Sequence, residues 1–363
     1  MRTVFFIFSL FMSMVAMAQL PELTIAQHLE DYDYAVKYIE DNYSGFSFWV
    51  VDSTRADYEA TKARLRAEVE RGERPGWDAV SAYTGWFSDF HMVVSVNNGN
   101  PFAYFKRSII IYHDLMEEYA PKAVACKVTD KTYLIRFPSC SGNPDVKWIK
   151  NSVKQYKKSH CENLILDIRG NGGGADHFYY PYRELLYDHE AKYTDIEFRN
   201  TPHNMAYLKS MNWFRGVQQA AIEHPQQEFI PLKHGTIHYK KRNKKVRRAA
   251  LIIDNLVGSS GEELVRQIKS CSDRVTVYGS DNTLGCLDFS NVSSVLMPNC
   301  GLRFGVPLSR SVGLPNNSVD KNGIAPDIRI NLPLTTKLTD NIDEWTLWVA
   351  SQLEKESLVS GKS

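Results

Sequence analysis

The chain has 363 residues, with 43 Lys and Arg against 42 Asp and Glu and 43% hydrophobic residues. This length and apolar content suffice for a sizeable core in one large or two smaller domains. The near-zero net charge excludes a chain that binds nucleic acid or acidic partners through overall charge, and no repeat or low-complexity tract points to a solenoid or a disordered segment.

The N-terminus, MRTVFFIFSLFMSMVAMAQLPE, carries one basic residue, Arg2, then an apolar run from Val4 to Ala18 that closes in Ala16-Met17-Ala18. A short apolar run ending in a small-x-small pattern predicts a signal peptide over residues 1–18, cut after Ala18. The run is shorter than the ~20 residues of a bilayer span, so stable membrane insertion is not expected, although an uncleaved anchor is the competing reading. A periplasmic or secreted protein is the expectation. Gln19, not a cysteine, stands directly after the cut, which leaves a lipoprotein reading without support.

Apolar spacings of three and four predict helices between Ile25 and Glu70, with a third through WDAVSAYTGWFSDF. The next segments, HMVVSV, AYFKRSIIIYHDL, AVACKV and KTYLIRF, are β-branched or aromatic and read as strands. Strands and helices then alternate: PDVKWIKNSVKQYKKS as helix, NLILDIR as strand, RRAALIIDN as a fully apolar strand, GEELVRQIKSC as helix and RVTVYG as strand. Such alternation predicts an α/β core whose central strands are buried on both faces. NVSSVLMP, LRFGVPLS and DIRI return to strands, and DNIDEWTLWVASQLEKE closes as an amphipathic helix. The organisation expected is a helical N-terminal domain over 19–105 and an α/β domain over 106–363.

Six cysteines, Cys126, Cys140, Cys161, Cys271, Cys286 and Cys300, permit disulfides in an exported protein, but buried thiols are the preferred reading. None has the C-x-x-C spacing of a zinc site, and no metal or other cofactor is expected. The basic stretch Tyr239 to Arg248 reads as a solvated hairpin tip entering a core strand, with a polyanion or membrane-surface patch as the sharper alternative.

Two glycine- or serine-rich turns carry the chemistry. In ILDIRGNGGG, Ile165 to Gly174, a strand runs into a glycine turn. Gly170, Gly172 and Ala175 fit G-x-G-x-x-A, and Asp188 and Glu190 stand near the distance of the acidic residue that a dinucleotide site needs, but YYPYRELLYDHE before them reads as helix running into loop and not as the second strand required. The other use of such a turn is to aim backbone N–H groups at a reacting carbonyl. In LIIDNLVGSSGEELV a buried strand runs into a helix start with Ser259 and Ser260 at the corner. Open N–H groups and the helix dipole there favour a developing oxyanion, while Ser259-x-x-Glu262 is equally the pattern of a capping box.

Together these turns resemble the S41 peptidases, the tail-specific and tricorn-like serine peptidases. Asp167-Ile168-Arg169-Gly170-Asn171-Gly172-Gly173-Gly174 is similar to the family's D-L-R-x-N-x-G-G turn, and Val257 to Glu262 to its T-A-S-A-x-E turn. Gly279 to Gly285 mirrors G-E-x-T-x-G, and Gly323-Ile324-Ala325-Pro326-Asp327 repeats G-I-x-P-D. The resemblance implies a crotonase/ClpP-like α/β core with a mixed sheet, preceded here by the small helical domain, and a peptide or unfolded-protein substrate. It implies Ser259 as nucleophile, with the N–H groups of Gly173 and Ser260 as oxyanion donors. Cys286 stands where the tail-specific branch carries lysine, so the tricorn-like design applies, with His91 of FSDFHMVV as base and Asp320 as its orienting acid. Phe90 and Met92 depart from that branch's histidine turn, and there is little room for a PDZ insert. His177, just past the glycine turn, is the rival base. The rival function is a degenerate relative that binds extended peptides or glycans without turnover.

Overall fold

A computed structural model describes residues 20–95, 122–141, 145–232, 235–332 and 342–360. The predicted signal peptide, the boundary at 105 and the AYFKRSIIIYHDL strand lie outside these residues. Among the described residues no helix is long and apolar enough to cross a membrane.

The N-terminal region is helical, with α1 (Ile25–Asn42), the short α2 (Phe46–Trp49), α3 (Asp52–Glu70) and α4 (Gly76–Trp86). Thr24 caps α1 in a reciprocal box with Gln27, satisfying two N–H groups of the helix start. Helix α4 stops at Trp86, short of the predicted SDF. Ser88 takes φ +52 there and Asp89 turns the chain by accepting the His91 N–H at 2.9 Å.

Thirteen strands follow in chain order among the described residues: β1 (Val94–Ser95), β2 (Val124–Lys127), β3 (Thr132–Arg136), β4 (Asn163–Asp167), β5 (Ala191–Lys192), β6 (Ile196–Arg199), β7 (Phe229–Leu232), β8 (Thr236–Ile237), β9 (Arg248–Ile253), β10 (Val275–Gly279), β11 (Phe289–Leu296), β12 (Arg303–Ser311) and β13 (Ile328–Arg329). The central sheet has the order β13-β10-β9-β4-β3-β2, parallel except for β2 against β3. Its middle strands alternate between two apolar layers. Leu164, Leu166, Leu251 and Ile253 pack beneath the Val146–Lys158, Tyr180–Leu186 and Ser260–Cys271 helices, while Ile165, Ala250 and Ile252 pack against Trp345, Val349 and Leu353 of the last helix, Glu344–Ser360. Burial on both faces is why these strands read as unbroken apolar runs.

A second sheet is antiparallel, with β1, β11 and β6 all on β12 and β7 on β6. Helices α1–α4 pack on it: Tyr32, Ile39, Tyr43, Tyr83 and Phe87 share one core with Phe289, Phe304 and Val306. The helical region therefore draws its core from strands more than 200 residues later in the chain.

Cys140, Cys161, Cys271, Cys286 and Cys300 are buried thiols, and no disulfide forms among the described residues. The basic stretch is partly absorbed by local partners, Arg242 with Asp188 and Arg247 with Glu162 at 3.4 Å. Lys241 to Lys244 border a groove of about 790 Å³ with Lys150 and Lys157.

Candidate active site

The site lies where three turns converge: the glycine turn after β4, the serine turn after β9 and the segment before β1. The first two are locked by backbone. The Gly258 N–H donates to Asn171 O at 3.0 Å, and the Asp254 carboxylate accepts the N–H groups of Gly170 and Leu256. Below them Asp167, fully buried, takes Arg136 Nε at 2.8 Å and Arg169 Nε at 2.9 Å, and both guanidiniums also reach Asp343. The two cations hold the Asp167 carboxyl well below its ordinary range against the opposing effect of burial. In Asp167-Ile168-Arg169 the charged residues thus anchor the turn from beneath and do not face its open side.

Ser259 stands at the corner with φ +50 and ψ −121, a region that non-glycine residues seldom occupy. Its Oγ makes no cap hydrogen bond to the helix; it lies 3.2 Å from His91 Nε2, across 168 residues of sequence. Glu262 supplies the other half of the expected capping box. Its buried carboxylate accepts Ser259 N–H at 3.2 Å, Gly285 N–H at 2.7 Å, Cys286 N–H at 2.8 Å and the Thr283 hydroxyl at 2.5 Å. Burial raises the Glu262 pKa, and the four donors pull against that rise. This carboxylate pins the Thr283–Cys286 loop beside the serine, while Thr283 Oγ1 accepts the Ile324 N–H of the Gly-Ile-Ala-Pro-Asp turn at 2.7 Å.

His91 reaches Ser259 because its segment lies along β12. Gly305 donates to Val93 O at 3.0 Å, and a Cβ on Gly305 would come within 2.3 Å of His91 O, so only glycine admits this approach. His91 Nδ1 lies 3.6 Å from Asp89 Oδ1 and 3.2 Å from Cys286 Sγ. Asp89 is itself buried and held by the Tyr43 hydroxyl at 2.7 Å, which accepts Trp49 Nε1–H at 2.9 Å. Nothing in the sequence singled out Tyr43, Trp49 or Asp89 for this role, since all three read as ordinary helix or helix-end residues.

Two expectations need correction. Asp320 makes no ion pair with His91. Its Oδ1 accepts the Leu287 and Asp288 N–H groups, both at 2.7 Å, and its Oδ2 is buried without a partner. Burial, then the neighbouring Asp89 and Asp288 charges, push its pKa well up. One methylene shorter than glutamate, Asp320 is held by its own turn, and Asp89 is the carboxylate beside the imidazole. The second correction concerns Gly173, whose N–H donates to Asn171 Oδ1 at 3.1 Å and is spent in this conformation. Ser260 N–H has no partner among the described residues, while its hydroxyl donates to Gly174 O or Asp176 Oδ1. Gly173 still lies against the corner, for a Cβ there would meet Ser259 Cβ at 2.7 Å and Ser260 N at 2.9 Å. His177 is exposed, stacks on Phe178 and makes no contact with Ser259.

The sequence profile of peptidase family S41 matches residues 131–330, more than half of the chain. Among solved structures, mature CPAF complexed with lactacystin superposes with a TM-score of 0.63 at 12% identity, covering 93% of this chain and 98% of that one. A candidate peptidase from Parabacteroides merdae gives 0.58 at 16% identity over 84% of this chain and 89% of its own. No curated protein matches the chain in sequence. At such identities the structural likeness speaks for the fold alone, a mixed α/β core with a helical N-terminal region, whereas the profile match covers both the glycine and serine turns. The chain is a peptidase belonging to family S41.

Proposed function

We propose that this peptidase is an exported serine hydrolase that cuts peptides or unfolded proteins through an acyl-enzyme. The observation that carries the reading is the 3.2 Å approach of His91 Nε2 to the Oγ of Ser259, a serine held in a strained corner at a helix N-terminus. Ser259 Oγ attacks the scissile carbonyl while His91 Nε2 takes its proton, later giving it to the leaving amine. Asp89 orients the ring through Nδ1 and stabilises the imidazolium, the part first assigned to Asp320. The free Ser260 N–H and the positive end of the Ser260–Cys271 helix supply the charge stabilisation for the tetrahedral oxyanion.

One observation favours the second reading, a peptide-binding relative without turnover: the Gly173 N–H is already engaged by Asn171, leaving a single open donor of the expected pair. Hydrolysis of an unstructured peptide pool, read by mass spectrometry, separates the two. Ser259→Ala should lower the rate by about 10⁴-fold or more while the protein stays folded. Equal cleavage by the two proteins removes Ser259 from the mechanism, and binding with no cleavage by either selects the second reading.

A further inference from the structure

The position that replaces lysine places a thiol on the histidine ring. Cys286 Sγ lies 3.2 Å from His91 Nδ1 and 3.5 Å from Nε2, Asp89 Oδ1 lies 3.6 Å from Nδ1, and the three donor atoms fall within 4.8 Å of one another. A tetrahedral zinc ion with ordinary bond lengths sets its sulfur and nitrogen ligands about 3.5 Å apart and its nitrogen and oxygen ligands about 3.3 Å apart. The two Nδ1 separations are within a few tenths of an ångström of these, while the sulfur, almost as close to Nε2, must swing off the ring to meet an ion held on the in-plane Nδ1 lone pair. The donor set of thiolate, imidazole and carboxylate is one that divalent zinc favours over magnesium or calcium.

We propose that Asp89, His91 and Cys286 form an inhibitory binding site for a soft or borderline divalent cation, zinc foremost. The carboxylate is pre-positioned by Tyr43, and the thiol by the loop that Glu262 pins. The His91 side chain keeps 15% of its surface exposed, so the ring is reachable from solvent. Burial keeps Cys286 a thiol in the metal-free protein; on binding, its proton passes to solvent and the cation takes the sulfur lone pair. The cation also takes the Nδ1 lone pair, so the single ring proton of the neutral imidazole moves to Nε2. Nε2 then faces Ser259 Oγ as a donor and cannot accept the serine proton. The metal inhibits by fixing the wrong tautomer, with Ser259 itself untouched. The binding half stands on geometry alone, whereas the inhibitory half rests on His91 being the base.

Cobalt serves as the probe, because a thiolate ligand gives it a near-ultraviolet charge-transfer band that nitrogen and oxygen ligands do not. The mature protein, freed of metal and kept reduced with a phosphine, is titrated with cobalt and then zinc, beside Ser259→Ala, Cys286→Ser and His91→Ala. The expected result is the band in the first two proteins at one cation per chain, displaced by zinc. In Cys286→Ser the band should vanish and zinc affinity should fall by more than the roughly 10- to 100-fold that loss of an outer-shell partner costs. In His91→Ala the affinity should fall comparably, which decides the matter even if Cys286→Ser does not fold. Zinc should abolish peptide hydrolysis, reversibly with chelator, at the concentration that displaces cobalt. No band in the parent protein, or unchanged zinc affinity in both ligand variants, overturns the site. The band without inhibition of an active enzyme overturns the inhibitory role, and a parent without peptidase activity but with the band sinks the catalytic reading while leaving the site standing.

Discussion

The two halves of the site are built in different ways. The serine half is backbone: strands β4 and β9 lie side by side in a buried parallel sheet, so the turns that follow them are neighbours by register, Asp167 opposite Ile252. Buried carboxylates then tie each turn down, Asp254 and Asp167 under the glycines and Glu262 behind the serine. The histidine half is a side chain on a segment between α4 and β1, outside the residues matched by the family profile. It is aimed by packing around a local turn: Asp89 beside it, held by the Trp49–Tyr43 pair, and Gly305 along its back. A sheet positions the groups whose backbone does the chemistry, while a packed helical layer delivers the one whose ring does.

This contrast can be broken where it is strongest. If Asp89 orients His91, Asp89→Asn should lower the hydrolysis rate by about 10²- to 10⁴-fold by favouring the wrong tautomer, with only a modest change in thermal stability. A rate within about threefold of the parent would return the orienting role to another group.

The serine half should instead fail through stability. Asp167→Asn leaves Arg136 and Arg169 buried with one fewer anion, a loss of about 3–5 kcal/mol in urea unfolding. Because the folded protein holds this carboxyl's pKa below that of the unfolded chain, its stabilisation is present at neutral pH and fades as pH falls through the folded value. The difference between parent and variant should therefore shrink in acid. A constant difference across that range would mean that the network, not the charge, carries the effect.

The smallest effect is expected at Asp320. Asparagine keeps an oxygen for the Leu287 and Asp288 N–H groups and replaces the orphaned Oδ2 with a neutral amide. The Asp320 pKa is raised in the folded protein, so the parent loses stability as pH rises from the unfolded value through the folded one. Asp320→Asn should be relatively more stable at about pH 8 than at about pH 4, with less than a tenfold change in rate. A large loss of rate would show that Asp320 swings onto His91 during turnover.

What the sequence determined by itself is whatever depends on local pattern. Unbroken apolar runs announced the doubly covered strands β4 and β9, and helical spacing announced α1, α3 and the helix at Ser260–Cys271. Glycines at fixed offsets after a strand, and a serine at a strand-to-helix corner, are local too, so both turns were legible. Residues 196–232, where β6 and β7 flank two short helices, carried no such signal because these elements are half-buried on a small satellite core. Only the tertiary structure decided which carboxylate faces His91. The motif pointed to Asp320 alone, and the choice of Asp89 turned on side-chain reach and on which oxygens neighbouring N–H groups had already taken. The same holds for the Gly173 donor, since a hydrogen bond to Asn171 two residues away competes with the role its position in the motif implied. Pattern reports where the backbone turns. Which lone pairs and protons remain free there depends on every group packed around the turn, near in the chain like Asn171 and Asp89 or distant like Tyr43 and Glu262.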